Sequence, residues 1–211
     1  MRARMWACFK GWWIRTEESP EETCSESLAS FKTFLCWETD EWKDCGGVSI
    51  LFYAVLRNDT EAVRLLISGS SGIEKDRINE YLFKDGLVEF SIPARVSALF
   101  CAMIISSVNI VRMLLESGAD PKISDMNGAD PFIYASVMGR VQNIKLWLSR
   151  FPRWNINRGT TLNGSSALHA AVYFGRNKLQ TVQALVELGG ADLNVLTHGG
   201  ASALSNAVHS L

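Results

Sequence analysis

The sequence predicts an all-α solenoid built from about four and a half copies of one helix-turn-helix unit. Residues that favour helix starts recur at intervals of 48, 33, 36 and 36 positions, at Ser49, Ser97, Asp130, Ser166 and Ser202. Two positions after each of them lies a large apolar residue, and five positions after lies an alanine: Ala54, Ala102, Ala135, Ala171 and Ala207. A side chain no larger than a methyl group lets neighbouring helices approach closely. Together, the helix starts and the recurring alanine indicate stacked repeats.

One unit is clearest between Gly164 and Asn194. Ser166 can cap a first helix, and Gly164 lies two residues earlier, where a tight turn must enter that helix. A second helix follows, with apolar residues at the three-and-four spacing of an amphipathic helix: Leu179, Val182, Leu185 and Val186. Equivalent second helices are predicted after the other first helices, and the fourth copy fits the register after a two-residue insertion.

This register resembles the ankyrin repeat, a unit of about 33 residues that begins Thr-Pro-Leu-His-x-Ala. Residues 45–211 form the predicted repeat domain, with units starting near residues 47, 95, 128, 164 and 200. The closest matches to the family pattern are SALHAA from Ser166, DPF from Asp130, and the Gly-Ala-Asp turns at 118–120 and 190–192. The family's histidine is kept only as His169, for which the resemblance implies a structural hydrogen bond around the turn.

The last copy stops at Leu211, inside its first helix. A repeat without its second helix cannot fully cover its neighbour. We therefore expect the final repeat to be truncated or irregular, and the C-terminal face of the stack to expose Val182, Leu185 or their neighbours.

Residues 1–44 lack the repeat pattern and form a separate Trp-rich, acidic segment that we expect to be partly disordered. Residues 17–44 hold nine acids against two lysines. Within this segment, Ser19-Pro20-Glu21-Glu22 predicts a helix from about Pro20 to Cys36. This helix either covers the open end of the stack or binds a partner.

An insertion separates the first two repeats, at residues 70–96. Its apolar runs on either side of Asp85-Gly86 predict a β-hairpin finger. A short helix from Glu74 to Phe83 is the alternative.

Composition argues against several classes of partner and compartment. A net charge of −1 argues against a nucleic-acid-binding surface spread over the molecule. The longest uncharged run, Val96 to Val111, has 16 residues and is too short to span a bilayer, so we expect no membrane association. Five cysteines without a close pair favour a reducing, cytoplasmic location. The acid-free, Arg-containing start leaves an organelle transit peptide open as an alternative.

The sequence contains little that would support catalysis. Its three histidines, His169, His198 and His209, fall in the last two repeats near Asp192 and could form a metal or acid-base site. A structural role accounts better for His169, and the other two lie at a finger tip and near the chain end. We therefore predict no metal site, no cofactor and no enzyme activity.

The predicted function is protein–protein recognition, because stacked repeats create an extended concave surface. At 3.6 residues per turn, positions four, seven and eight after each cap point away from the core. The predicted partner-binding residues at these positions are Tyr53, Leu56, Arg57, Ile104, Ile105, Tyr134, Val137, Met138, Tyr173, Phe174 and His209. The same positions also include Cys101, Ala170, Asn206 and Ser210.

An exposed apolar strip of this kind usually marks an interface. We expect a bound peptide or helix, with Arg57 selecting an acidic group at one end. Alternatively, the N-terminal segment or the inserted hairpin folds over the strip. At the level of function, the alternative is the regulatory or targeting portion of a larger enzyme whose catalytic domain lies outside this chain.

Overall fold

The structure is a computed structural model that describes residues 50–68, 78–79, 97–175 and 177–209. Its helices are α1 (Ile50–Leu56), α2 (Thr60–Ser68), α3 (Ala98–Ile105), α4 (Val108–Glu116), α5 (Pro131–Val137), α6 (Val141–Arg150), α7 (Ala167–Phe174), α8 (Lys178–Gln183) and α9 (Ala203–His209). A π-helix, Ala184–Leu188, continues α8. The all-α helix-turn-helix architecture is thus confirmed, whereas the predicted hairpin finger and the helix from Pro20 to Cys36 lie outside the described residues.

The helices pack in two rows. The first helices of the repeats, α1, α3, α5, α7 and α9, each contact the next one in the row. The second helices, α2, α4, α6 and the π-helix, form a parallel row in the same order. Each first helix from α1 to α7 also packs against the second helix of its own repeat, so the core lies between the two rows.

The positions that the register predicted to be buried are buried in the first four repeats. Two residues after the cap, the apolar side chain is at most 2% exposed at Leu51, Leu99, Phe132 and Leu168. Five residues after the cap, the alanine is at most 2% exposed at Ala54, Ala102, Ala135 and Ala171. These alanines lie where neighbouring first helices pack closely, so a larger side chain would not fit there.

Side chains at the predicted helix starts cap the helices. Asp130 accepts a hydrogen bond from the Ile133 main-chain nitrogen at 2.8 Å, and Pro131 occupies the first turn of α5. Ser97 and Ser202 accept from the nitrogens three residues later, at 3.3 and 3.2 Å. These bonds satisfy main-chain donors that a helix N-terminus would otherwise leave unpaired.

The fourth repeat accommodates its extra residues in two places. The left-handed residue before α8, Asn177, lies eleven positions after its cap, whereas Gly139 of the third repeat lies nine after its cap. The predicted two-residue insertion therefore lies in this turn. A further residue is absorbed by the π-helix, because Ala191 donates to the carbonyl six positions earlier, at 3.0 Å, whereas Ala119 donates to the carbonyl five positions earlier.

The C-terminal end of the stack differs from the expectation in detail. Leu185 in the π-helix is fully buried, and Val182 on α8 is half-buried. Both elements pack against α6, which covers these side chains. Their neighbours Leu179 on α8 and Leu188 in the π-helix are 68% and 59% exposed, as the expectation allowed, and on α9 Leu204 is 75% and Val208 is 63% exposed. Among the described residues, no second helix packs behind α9, so the core-facing side of this helix is left uncovered.

In the described ranges, the longest α-helix is α6, with 10 residues. None of the helices there combines the length and the apolar character that crossing a bilayer requires.

Candidate partner-binding surface

A tight turn precedes each of the last three first helices and is closed by a similar pair of main-chain bonds. In turn 1 (residues 125–129), Asp125 N donates to Ala129 O at 2.9 Å and Gly128 N donates to Asp125 O at 3.0 Å. Turn 3 (residues 197–201) repeats this arrangement, and turn 2 (residues 160–165) has the corresponding pair of bonds around one additional residue. The three turns therefore have similar main-chain bonding along one edge of the stack.

Neighbouring turns are also bonded to each other through their main chains. Thr161 N in turn 2 donates to Asn127 O in turn 1 at 2.8 Å, and His198 N in turn 3 donates to Asn163 O in turn 2 at 2.9 Å. Gly164 has a left-handed φ of +73°, and a Cβ there would lie 2.9 Å from His198 N. Glycine is required at this position both for its backbone conformation and for the close approach of the next turn.

A buried carboxylate links turn 1 to helix α5. Asp125 is 5% exposed and accepts hydrogen bonds from Asn127 N (2.9 Å), Ala129 N (2.8 Å) and the Tyr134 hydroxyl (3.0 Å). Burial raises the pKa of Asp125, and these bonds oppose the shift. Burial, followed by the nearby Asp125 charge, raises the pKa of Tyr134. Since the Tyr134 ring also packs against Phe100, with centroids 4.7 Å apart, this aromatic side chain is fixed by both neighbouring elements.

His169 joins the fourth repeat to the fifth. The Ser166 main-chain nitrogen donates to His169 Nδ1 at 3.3 Å, and the Ser166 hydroxyl lies 2.8 Å from the same atom. Because a main-chain N–H can only donate, Nδ1 accepts, and the proton on Nε2 donates to Ala201 O at 3.1 Å. The ring is 2% exposed and therefore has the structural place that the family resemblance implied.

The predicted recognition positions lie on the first helices, on what we call the first-helix face. Six of the predicted side chains there are half-buried: Ile104, Ile105, Tyr134, Met138, Tyr173 and Phe174. The rings of Tyr173 and Phe174 contact each other edge to face, with centroids 4.4 Å apart. Arg57 is exposed. The side chains of Tyr53, Leu56, His209 and Ser210 lie outside the described part of the chain.

Three positions on this face do not have the exposure that the helical periodicity predicted. Cys101, Val137 and Ala170 are each 6% exposed and belong to the core. Neighbouring first helices pack closely enough to cover these side chains, although they point away from the second helices. Burial also raises the pKa of the Cys101 thiol, so it is not a reactive cysteine.

Sequence reasoning missed Arg140, which organises the end of α3. Its guanidinium donates through Nε to Ile104 O and through a terminal nitrogen to Ile105 O at 3.2 Å. These bonds connect the main-chain carbonyls of two predicted contact residues to the third repeat. Asp125 was also missed, although it lies five residues before its cap, as Thr197 does before Ser202.

The described residues contain no group of three His, Cys, Asp or Glu side chains that could hold a metal ion. Both ring nitrogens of His169 make structural hydrogen bonds, and His198 is exposed on turn 3.

The candidate site is the first-helix face, a surface of apolar and aromatic side chains, together with the edge of hydrogen-bonded turns.

Comparison with known families gives two matches. Residues 23–125 match the model described as ankyrin repeats in three copies, and residues 163–198 match the model described as the ankyrin repeat. The first match begins inside the segment 1–44, which we predicted to precede the repeats. Between the two matches lie α5 and α6, which pack in the same two rows as the matched helices. No curated protein matches the chain.

Proposed function

The chain belongs to the ankyrin-repeat family, whose repeats are in general protein–protein interaction modules, and from this we propose that it binds a partner protein or peptide along its first-helix face and turns. The observation that carries the proposal is the row of apolar and aromatic side chains on three consecutive first helices. Ile104 and Ile105 lie on α3, Met138 follows α5, and Tyr173 and Phe174 lie on α7. A segment bound across these helices would contact all three.

The half-buried state of these side chains supports a binding role. A side chain fixed by its neighbours loses little conformational freedom when a partner covers the rest of it. Tyr134 is fixed by Asp125 and Phe100, and Phe174 packs on the core. Large aromatic anchors of this type commonly dominate interfaces, each costing about 2 kcal/mol or more when truncated.

We further propose that Arg57 selects an acidic group at one end of the bound segment. It is exposed just after α1, at position eight after the first helix start, in register with Ile105 and Phe174. A guanidinium can hold a carboxylate with two parallel hydrogen bonds. The partner segment would then be largely apolar, with one acidic end.

The experiment compares Tyr173→Ala with Leu179→Ala in affinity capture followed by mass spectrometry. Tyr173 is half-buried on the first-helix face, whereas Leu179 is 68% exposed on α8, in the other row. We expect Tyr173→Ala to lose partners that the wild type and Leu179→Ala both retain, while it stays folded with a slightly lower melting temperature because its ring no longer packs on Phe174. Equal capture by all three proteins would reject the first-helix face as the binding surface.

A second readout separates a partner from an intramolecular cover. If residues 1–44 or 70–96 fold over the face, Tyr173→Ala should lower the melting temperature by more than Leu179→Ala does and change no partner. That outcome would also contradict the proposal.

A further inference from the structure

A row of cations runs along the second helices, on the other side of the stack. Arg64, Arg112 and Lys145 each lie fifteen residues after the first-helix start of their own repeat, and all three are exposed. They stand on α2, α4 and α6, which pack side by side. Since packed helix axes lie about 8–10 Å apart, the three charges form a ladder roughly 20 Å long. We call these three residues the basic ladder.

Among the described residues, two of the three cations in the basic ladder form no ion pair. Arg64 pairs with Glu61 at 2.6 Å, in an exposed bridge within α2. In the part of the chain that the structure describes, neither Arg112 nor Lys145 has a carboxylate within ion-pair distance. The helix dipole stabilises cations only in the last turn of a helix. Arg112 and Lys145 both lie near the middle of their helices, so the dipole does not stabilise their charges either.

A shallow groove adjoins the ladder between α4 and α6. It has a volume of about 140 Å³ and is lined by Arg112, Leu115, Glu116, Leu146, Ser149 and Arg150. Two arginines on different helices thus flank two leucines. Arg153, just beyond α6, adds another exposed cation. Counted over the described helices α2, α4 and α6 together with Arg153, five cations stand against Glu61 and Glu116.

We propose that the basic ladder and the adjoining groove form a second binding surface, for an acidic protein segment whose carboxylates are separated by apolar residues. The carboxylates would meet the ladder and Arg150, and the apolar residues would cover the leucines. Complementary charge of this kind sets both the rate and the specificity of association. The proposal goes beyond recognition by the first-helix face, because it uses the opposite row of helices.

The groove favours an acidic protein segment over a nucleic acid. A polynucleotide presents a continuous line of phosphates, and its affinity depends on neutralising many of them at once. Here the excess of positive charge is small, and Glu116 would repel a continuous line of anions within the groove. An acidic protein segment can place apolar side chains opposite the leucines and avoid that repulsion.

The test uses the full chain and a short fluorescein-labelled peptide in which Glu-Glu and Leu-Leu pairs alternate, with fluorescence anisotropy as the readout. A control peptide carries Gln in place of every Glu. We expect the Glu peptide to bind about tenfold more tightly than the Gln peptide, and to lose that advantage as salt is raised.

The matched variants are Arg112→Gln with Lys145→Gln, and Lys122→Gln. The first pair removes two members of the ladder, whereas Lys122 is an exposed cation in the turn after α4. We expect the ladder variant to bind the Glu peptide about tenfold more weakly and Lys122→Gln to bind it within about twofold of the wild type. All these side chains are exposed, so the melting temperatures should be unchanged.

Three outcomes would overturn the proposal. These are equal binding of the Glu and Gln peptides, full binding by the ladder variant, or ladder-dependent binding of a single-stranded oligonucleotide without binding of the Glu peptide. Tyr173→Ala should leave binding of the Glu peptide intact, so a failure of the first-helix face and a failure of the ladder can be told apart.

Discussion

At the scale of single residues, buried polar side chains hold successive repeats in register. His169 donates to Ala201 O, the Ser106 hydroxyl donates to Val55 O at 2.8 Å, and the Asn143 side chain donates to carbonyls around the end of α3. Each of these bonds crosses from one repeat to the next. A shift between repeats would break these bonds and leave buried polar groups unpaired. Because an unpaired buried polar group is costly, the bonds favour one register of the stack.

Replacing His169 with alanine should uncouple the last repeat. The substitution leaves the buried Ser166 N without its acceptor, at a cost of about 1–3 kcal/mol, and removes one of the two donors to Ala201 O, the other being Thr197 N. We expect a lower urea midpoint and faster amide exchange in α9. His198→Ala, at an exposed ring, should stay within about 0.5 kcal/mol of the wild type. Equal effects of the two substitutions would contradict this role.

Tyr134→Phe should destabilise the protein in a pH-dependent way. Burial raises the folded pKa of Asp125, so stability falls as the pH rises from about 4, the ordinary value for Asp, through that folded pKa. Without the Tyr134 hydroxyl, the carboxylate loses one donor, its folded pKa rises further, and the fall becomes larger. We expect a loss of about 1.5–3 kcal/mol near pH 7 and a smaller loss near pH 4.

The measurement for Tyr134 is urea unfolding at the two pH values, with Tyr173→Phe as the control. Among the described residues, the Tyr173 hydroxyl makes no hydrogen bond, although its ring packs on Phe174. A pH-independent effect of Tyr134→Phe would show that the hydroxyl does not act through Asp125.

At the scale of elements, the alanine five residues after each cap sets the distance between first helices. Ala135 is fully buried on α5, which packs against α3, α7 and its own second helix. A larger side chain there must displace one of these neighbours, whereas the residues on the outer side of α4 and α6 have room.

Ala135→Leu should therefore destabilise the stack by about 1–3 kcal/mol through overpacking. A thermal melt measures the effect. The control is Asn109→Leu, because Asn109 is exposed on α4 and this substitution places a leucine on a helix surface instead of in the core. A melt of Ala135→Leu equal to that of the wild type would refute the packing register.

At the scale of the whole molecule, the stack has one face that the described residues leave uncovered. Leu204 stands at the position where Leu51, Leu99, Phe132 and Leu168 are buried, yet it is 75% exposed. Each earlier first helix packs against a second helix of its own repeat, whereas among the described residues α9 has no such helix beside it, so the difference lies in the neighbour and not in the residue. We therefore expect this end of the stack to open first.

Adding a helix after Leu211, with the sequence of α6 as template, should bury Leu204 and Val208. Hydrogen exchange of the α9 amides is the measurement, and we expect slower exchange together with a higher melting temperature. An added helix of the same length with polar residues at the α6 core positions serves as the control. Unchanged exchange with the apolar helix would mean that α9 is already covered, for instance by a second copy of the chain.

Sequence alone was enough to predict the repeat unit, the helix starts and the core positions of the first four repeats. These follow from local rules: Asp130 caps because its carboxylate reaches a nitrogen three residues away, and Ala135 is buried because helical periodicity places it toward the neighbouring helices. Glycine two residues before the cap was also predictable, since few other residues adopt that backbone conformation.

Packing between helices determines which outward positions are covered and which side chains pair across repeats. Periodicity gives the direction of a side chain about its own helix axis, but burial depends on how near the adjacent helix lies. Cys101, Val137 and Ala170 are therefore buried although they point away from the second helices. The bond between Asp125 and Tyr134 likewise depends on how a turn sits on the helix that follows it, a geometry that no single-helix pattern contains.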